Sequence, residues 1–84
     1  MTISGLKKLI KKYDEEAELK KDTPTEFRIF LYSKKKRYPI TNAISKKDDW
    51  EIVRISEYIP ILPTHPVVVV YLKRLRFKKE YHKA

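Results

Sequence analysis

The side chains best suited to chemistry in this 84-residue chain are lysines and arginines, and most of them fall into two blocks. Positions 33–47 carry six basic residues and no acid, and positions 73–84 carry six basic residues and one acid. Lysine and arginine neutralise phosphates and release the counterions condensed on nucleic acids. Together with a net charge of +9, this asymmetry favours a polyanionic partner.

The first block is a candidate phosphate-binding turn with an aromatic neighbour. Its residues are Lys34, Lys35, Lys36, Arg37 and Tyr38. The cations would contact phosphates, and the tyrosine could stack on a base. The alternative is that a lysine-rich turn only keeps a small protein in solution.

The second block is a candidate phosphate-binding strip on the last strand and the tail. Its residues are Lys73, Arg74, Arg76, Lys78, Lys79 and Lys83, with Phe77 and Tyr81 interleaved. Arg74 and Arg76 are two positions apart, so on a strand they share a face and could follow a phosphate backbone. The alternative is that these charges protect a strand edge from aggregation. We expect the two blocks to lie near each other on one side of the molecule.

Three aromatic residues form a further candidate set. Phe30, Tyr32 and Trp50 could stack bases on a sheet face, as in several RNA-binding modules. Such residues are more often ordinary core. Arg28, Arg54 and the tyrosines are expected to act as auxiliaries.

An enzymatic site is the third alternative. Asp48, Asp49 and Glu51 could hold a divalent metal, and His65 or His82 could act as a base in a small nuclease. Adjacent aspartates in a polar turn are usually turn formers, and no nucleophile stands at a recognisable spacing. The absence of cysteine excludes thiolate zinc sites, and a single glycine excludes Gly-rich phosphate loops. We predict no enzyme, no metal and no cofactor.

An N-terminal helix is the first of the elements that must position these groups. An apolar stripe predicts a helix over about 4–20; its members are Leu6, Leu9, Ile10, Tyr13 and Ala17. Ser4 is the expected N-cap. The helix must end before Pro24, because the residue preceding a proline is disfavoured in the helical region.

The remaining segments are predicted to be strands. Residues 26–33 alternate, with Phe27, Ile29 and Leu31 on one face, and 34–37 are expected to be an exposed turn. Residues 38–44 predict a weaker strand at an edge, because Pro39 cannot donate to a ladder. Residues 50–59 fit either a helix or a strand, and their β-branched content favours the strand. Residues 67–77 begin with four valines and predict a strand in the middle of the sheet.

These elements predict a single α+β domain over 1–84, with a basic tail at about 78–84. An N-terminal helix would pack on one face of a three- to four-stranded, mostly antiparallel sheet. The second face would be left for a partner to cover.

The favoured function is that of a small basic nucleic-acid-binding protein that contacts mainly phosphates. Structured RNA, as in a ribosome-associated protein, is favoured over sequence-specific DNA, because no recognition helix is evident. The alternative is a homodimeric or regulatory protein-interaction module that uses the uncovered sheet. The chain has neither the ~20-residue apolar run of a membrane span nor a signal-peptide region, so a cytoplasmic protein without a membrane partner is expected. Abundant lysine, glutamate, isoleucine and valine are typical of a thermophile.

Overall fold

The computed structural model describes residues 1–59 and 65–75. These residues form an α+β fold whose elements follow one another as α1 (Ile3–Tyr13), β1 (Glu18–Lys21), β2 (Glu26–Leu31), α2 (Arg37–Ser45), β3 (Trp50–Glu57) and β4 (Val68–Arg74). The four strands make one antiparallel sheet in the order β1-β2-β4-β3. The predicted fold class is therefore confirmed, with a second helix added.

The valine run occupies the middle of the sheet, as predicted. Strand β4 pairs with β2 on one side and with β3 on the other. Val68 and Val70 are completely buried, since they face the helices together with Leu72. Strands β2 and β3 therefore run parallel to each other, and α2 is the crossover that connects them.

Helix α1 is shorter than the apolar stripe predicted. Its N-cap is Thr2 rather than Ser4, and the Thr2 hydroxyl accepts from the Gly5 N–H at 3.0 Å. The helix ends at Tyr13, and the Asp14 carboxylate accepts from the Glu16 N–H at 3.0 Å in an Asx turn. The predicted end at residue 20 is wrong, because Glu18–Lys21 forms the edge strand β1. Pairing with β2 outweighs the local helix preference of this segment.

The second helix replaces the strand predicted over 38–44. Residues Lys34–Lys36 form a single 3-10 turn that leads directly into α2. Pro39 lies in the first turn of α2, where a missing N–H costs nothing because it would have no partner within the helix. Ile40 and Ile44 are four residues apart and are both completely buried against the sheet.

Strand β3 contains a β-bulge, which explains why its sequence fits two interpretations. Ile52 pairs with Leu72 and Arg54 pairs with Tyr71, so Val53 is an extra residue without a partner. Ile52 and Ile55 both pack against the core although they are three positions apart, which imitates a helical spacing. The predicted strand is confirmed. Ile59, two residues beyond the end of β3, is 85% exposed.

Trp50 belongs to the core and not to the uncovered face. Its side chain is only 3% exposed, and its ring meets that of Phe27 edge-on with 5.1 Å between the centroids. Its indole N–H donates to the Met1 carbonyl at 3.0 Å, which satisfies the buried donor. Trp50 is therefore unavailable for base stacking in this fold.

Candidate nucleic-acid interface

The two basic blocks lie at opposite ends of the sheet. Leu31, at the end of β2, pairs with Val68, whereas Glu26, at its start, pairs with Lys73. These two pairs are five residues apart on each strand, which is about 17 Å. The chain leaves β2 at the first end to form Lys34–Arg37, and β4 reaches Lys73 and Arg74 at the other. The expected proximity of the blocks is therefore wrong for the part of the second block that the structure describes. The residues of that block beyond Leu75, among them Arg76, Lys78, Lys79 and Lys83, lie outside the described residues, as do Phe77, Tyr81 and His82.

The first block combines exposed lysines with a paired arginine. Lys34, Lys35 and Lys36 are exposed at the start of α2. Arg37 makes an ion pair with Glu57 at the end of β3, and its guanidinium lies 5.1 Å from the centroid of the Tyr38 ring. That ring is 64% exposed.

Lys73 and Arg74 point to opposite faces of the sheet. Arg74 lies on the helix side, 5.5 Å from the centroid of the buried Trp50 ring. Lys73 lies on the other side, where the register places it between Glu26 and Glu51. Neighbouring carboxylates offset the charge that Lys73 could offer to a phosphate.

A row of cations and aromatic rings crosses the sheet face that neither described helix covers. We call this surface the open face; its central residues are Lys20, Arg28, Phe30, Arg54, Tyr58 and Tyr71. Lys20 pairs with Arg28, Arg28 with Tyr71, and Tyr71 with Arg54, so the row includes one residue from each strand. With strands about 4.8 Å apart, the row is about 14 Å long.

Cations lie against the rings of this face. The Arg54 guanidinium is 4.2 Å from the centroid of the Tyr71 ring, and the Arg28 guanidinium is 5.2 Å from that of Phe30. The Lys20 ammonium is 5.9 Å from the Phe30 centroid. These distances are those of cation–π contacts, which hold the rings and the positive charges together on one surface.

The two arginines of the row differ in their electrostatic surroundings. Arg28 donates from Nε and Nη2 to the two carboxylate oxygens of Asp22, each at 2.8 Å, and this pair raises its pKa. Arg54 forms no ion pair with any described carboxylate. Its hydrogen bond to Tyr71, followed by one from Tyr58, lowers the pKa of the Tyr71 hydroxyl. Arg54 therefore offers an uncompensated positive charge, whereas Arg28 is anchored.

A shallow pocket of about 310 Å³ opens at the end of this face near the β3–β4 connection. The rings of Phe30, Tyr58 and Tyr71 line it together with Arg28 and His65. Its volume is at the lower end of the range for small-molecule sites, which suits a group of the size of one base. His65, considered above as a catalytic base, lies in this aromatic pocket.

Tyr32, the remaining aromatic candidate, is tied to the neighbouring strand. Its hydroxyl donates to the Glu18 carboxylate at the start of β1. This hydrogen bond lowers the pKa of Glu18 and raises that of Tyr32. The contact holds the side chain at the margin of the open face.

The acidic residues considered for metal binding do not converge. No group of three or more histidine, cysteine, aspartate or glutamate side chains within 1–59 and 65–75 is arranged to hold a metal ion. Asp49 instead contacts the Met1 amino group. Neither helix in the described ranges has the length and apolar composition needed to cross a membrane.

Comparison with known proteins does not add a functional assignment. No family model, curated protein or solved structure matches this chain.

Sequence reasoning named Phe30, Arg28 and Arg54 individually, but it included Tyr58 and Tyr71 only among the tyrosines as a group. Alternation along the last strand could have placed Tyr71 on the side opposite Leu72. Because the chain contains Val53, Arg54 reaches Tyr71 only if a bulge accommodates that extra residue, and the sequence carries no local signal for the bulge.

Proposed function

We propose that this protein binds unpaired segments of RNA on its open face. The observation that carries the proposal is the row of cations and rings across all four strands, above all Arg54 over Tyr71. Bases of an unpaired strand would stack on Phe30, Tyr58 and Tyr71. The guanidinium groups would contact the phosphates between them.

Stacking and phosphate contacts make complementary contributions to the binding free energy of such an interface. Stacking on an aromatic side chain contributes about 1–3 kcal/mol per base and tolerates any sequence. Phosphate contacts add a sequence-independent attraction, in keeping with the net charge of +9. An exposed sheet with aromatic residues suits loops, bulges and ends of structured RNA, whose bases are free to turn outward.

The first basic block extends this interface at one end of the sheet. Lys34–Lys36 lie beyond that end, whereas Lys73 at the other end lies between Glu26 and Glu51. A strand that leaves the open face towards Lys34–Lys36 would meet positive charge. These lysines therefore serve as flanking phosphate contacts, whereas the centre of the site is aromatic.

A salt titration with matched oligonucleotides tests this function. Fluorescence anisotropy would compare an unpaired RNA, the same RNA in a duplex, and the corresponding single-stranded DNA. We expect the unpaired RNA to bind most tightly and its affinity to fall as salt rises, with a slope of about −0.7 per phosphate contact. Undetectable binding at low salt, or equal affinity for the duplex, would rule out the proposed mode.

A protein-interaction module is the second candidate, because strand β3 and the segment that follows it expose apolar side chains near a sheet edge. Val53 is 59% exposed and Ile59 is 85% exposed. A second copy could add a strand at this edge, although the bulge at Val53 interrupts its regular hydrogen bonding. Light scattering separates the candidates: a stable dimer that persists in a Val53→Glu variant would exclude pairing through this edge.

A further inference from the structure

The positive charge is divided unequally between the two layers of the molecule. The segments that build the helical layer, 1–17 and 33–49, contain ten lysines and arginines against five acids. The described segments of the sheet layer, 18–32, 50–59 and 65–75, contain six against five. The excess charge of the described residues therefore belongs to the helical layer and to the Lys34–Lys36 turn at the end of the sheet.

Most cations of the helical layer form no ion pair with a carboxylate in the described part of the chain. Of these ten, only Arg37 forms an ion pair with a described acid, whereas Lys11 donates to the Glu15 and Ala17 carbonyls at 3.1 and 3.2 Å. The other eight are exposed lysines in 7–12, 34–36 and 46–47. In the sheet layer, by contrast, Arg28 and Lys20 are each paired with an acid.

A depression between the two helices lies among these lysines. Its volume is about 400 Å³; the residues that line it are Leu9, Tyr13, Pro39, Asn42, Ala43, Lys46 and Lys47. The Lys12 ammonium lies 6.0 Å from the centroid of the Tyr13 ring. We call this depression with Lys12, Lys46 and Lys47 the lysine groove.

The kinds of cation also differ between the layers. Arg28, Arg54 and Arg74 all lie on strands and contact aromatic rings. The lysine groove contains only ammonium groups, which act as point charges on flexible stems and do not impose planar, bidentate recognition. Such a surface suits the phosphate backbone of a nucleic acid, irrespective of its sequence.

We propose that the lysine groove binds the phosphate backbone of a second nucleic-acid strand, so that one molecule joins two strands on opposite faces. The claim that one molecule joins two strands rests on the proposed function of the open face, whereas the claim that the groove binds a strand does not. Charge complementarity indicates the occupant. Exposed lysines without a described carboxylate partner suit a ligand that carries a regular series of anions. Because stacking plays a small part here, this second binding event should depend more steeply on salt than the first.

Stoichiometry and strand bridging test the proposal. A short unpaired RNA would be titrated into the wild type, Lys46→Glu/Lys47→Glu and Tyr71→Ala, with two non-complementary RNAs carrying a donor and an acceptor dye as the bridging assay. We expect two strands per wild-type molecule, one for each variant, and energy transfer with the wild type only. The charge-retaining Lys46→Arg/Lys47→Arg variant should still bridge. Both lysines are exposed, so circular dichroism should show an intact fold in each case.

The outcomes separate the two claims. A single strand per wild-type molecule that Lys46→Glu/Lys47→Glu still binds, or undiminished bridging by that variant, refutes the lysine groove. If Tyr71→Ala still binds two strands while the lysine variant binds one, the open-face proposal fails and the groove stands. Displacement of RNA from the groove by far lower concentrations of polyglutamate than of competing RNA would assign the groove to an acidic protein and refute the proposal.

Discussion

The Arg54 guanidinium lies 4.2 Å from the centroid of the Tyr71 ring, and these residues come from neighbouring strands. Their pairing follows directly after the bulge, where Ile52 pairs with Leu72 and Val53 is left over. Because of that extra residue, Ile52 and Ile55 both face the core while Arg54 faces outward. A packing irregularity in one strand thus places the only arginine of residues 48–72 on the open face.

Deletion of Val53 should leave both faces of the sheet intact. Without it, Ile52, Arg54 and Ile55 would alternate regularly, and the core side chains and Arg54 would keep their partners on β4. We expect cooperative thermal unfolding with a midpoint within a few degrees of the wild type, because the deleted side chain is exposed. Deletion of Ile55, which would bring Ser56 to the core position opposite Val70, is the control and should destabilise strongly. Unfolding of the Val53 deletion would show that the bulge itself supports the fold.

Removal of the Arg54 side chain should raise the pKa of Tyr71. The hydrogen bond with Arg54 is the main cause of the lowered pKa, and the bond from Tyr58 is the second. A pH titration of the Tyr71 ring by NMR should show a clear increase in Arg54→Ala and a smaller one in Tyr58→Phe. An unchanged Tyr71 pKa in Arg54→Ala would contradict the contact on which the proposed site is built.

The hydrogen bond between Tyr32 and Glu18 should stabilise the protein only within a window of pH. It lowers the pKa of Glu18, so its contribution is present above the unfolded value of about 4.3 and is lost as the pH falls through the folded value. It raises the pKa of Tyr32, so the contribution is also lost as the pH rises through that folded value, above about 10. Denaturant unfolding of Tyr32→Phe should therefore show its largest deficit near neutral pH. A deficit that persists at pH 2 would point to lost packing instead.

Stability and binding should change in opposite directions at the start of α2. Lys34–Lys36 and Arg37 place four cations at the positive end of the helix dipole, and the first turn contains no acid. Lys35→Glu should therefore raise the free energy of unfolding by about 1 kcal/mol, or the melting temperature by roughly 4–8 °C. Its affinity for RNA should fall, because a flanking phosphate contact is lost.

Lys46→Glu at the opposite end of α2 is the matched control for this stability effect. A cation there is favourable to the dipole, so the same charge reversal should lower the melting temperature. If both reversals raised it, relief of the general charge repulsion, and not the helix dipole, would be the cause.

The fold could be predicted wherever local patterns and tertiary pairing agree. Alternation in β2 correctly placed Phe27, Ile29 and Leu31 in the core, and the valine run is central. Strand β1 was missed because it contains one apolar residue, Leu19, and depends on pairing with β2. Helix α2 could not be predicted from Pro39, because proline is tolerated both at the edge of a sheet and in the first turn of a helix.

The candidate site was less predictable than the fold, because it depends on register. The two basic blocks are conspicuous in the sequence. Strand β4, however, places Lys73, where the second block begins, at the opposite end of the sheet from the first block. The row from Lys20 to Arg54 joins four segments that no sequence motif connects. Charge clusters can be found by composition, whereas a site that crosses strands requires their pairing.

Two tyrosines offer the most direct test of the central claim, because each has an arginine over its ring. Tyr71 lies on the open face under Arg54, and Tyr38 lies beside the lysine turn under Arg37. Affinity for an unpaired RNA should be measured for Tyr71→Ala and Tyr38→Ala at one salt concentration. We predict that Tyr71→Ala weakens binding by roughly 5- to 150-fold, the equivalent of one stacked base, and that Tyr38→Ala changes it by less than about twofold. A large loss of affinity in Tyr38→Ala with none in Tyr71→Ala would contradict the open face as the binding site. The binding site would then be the lysine turn.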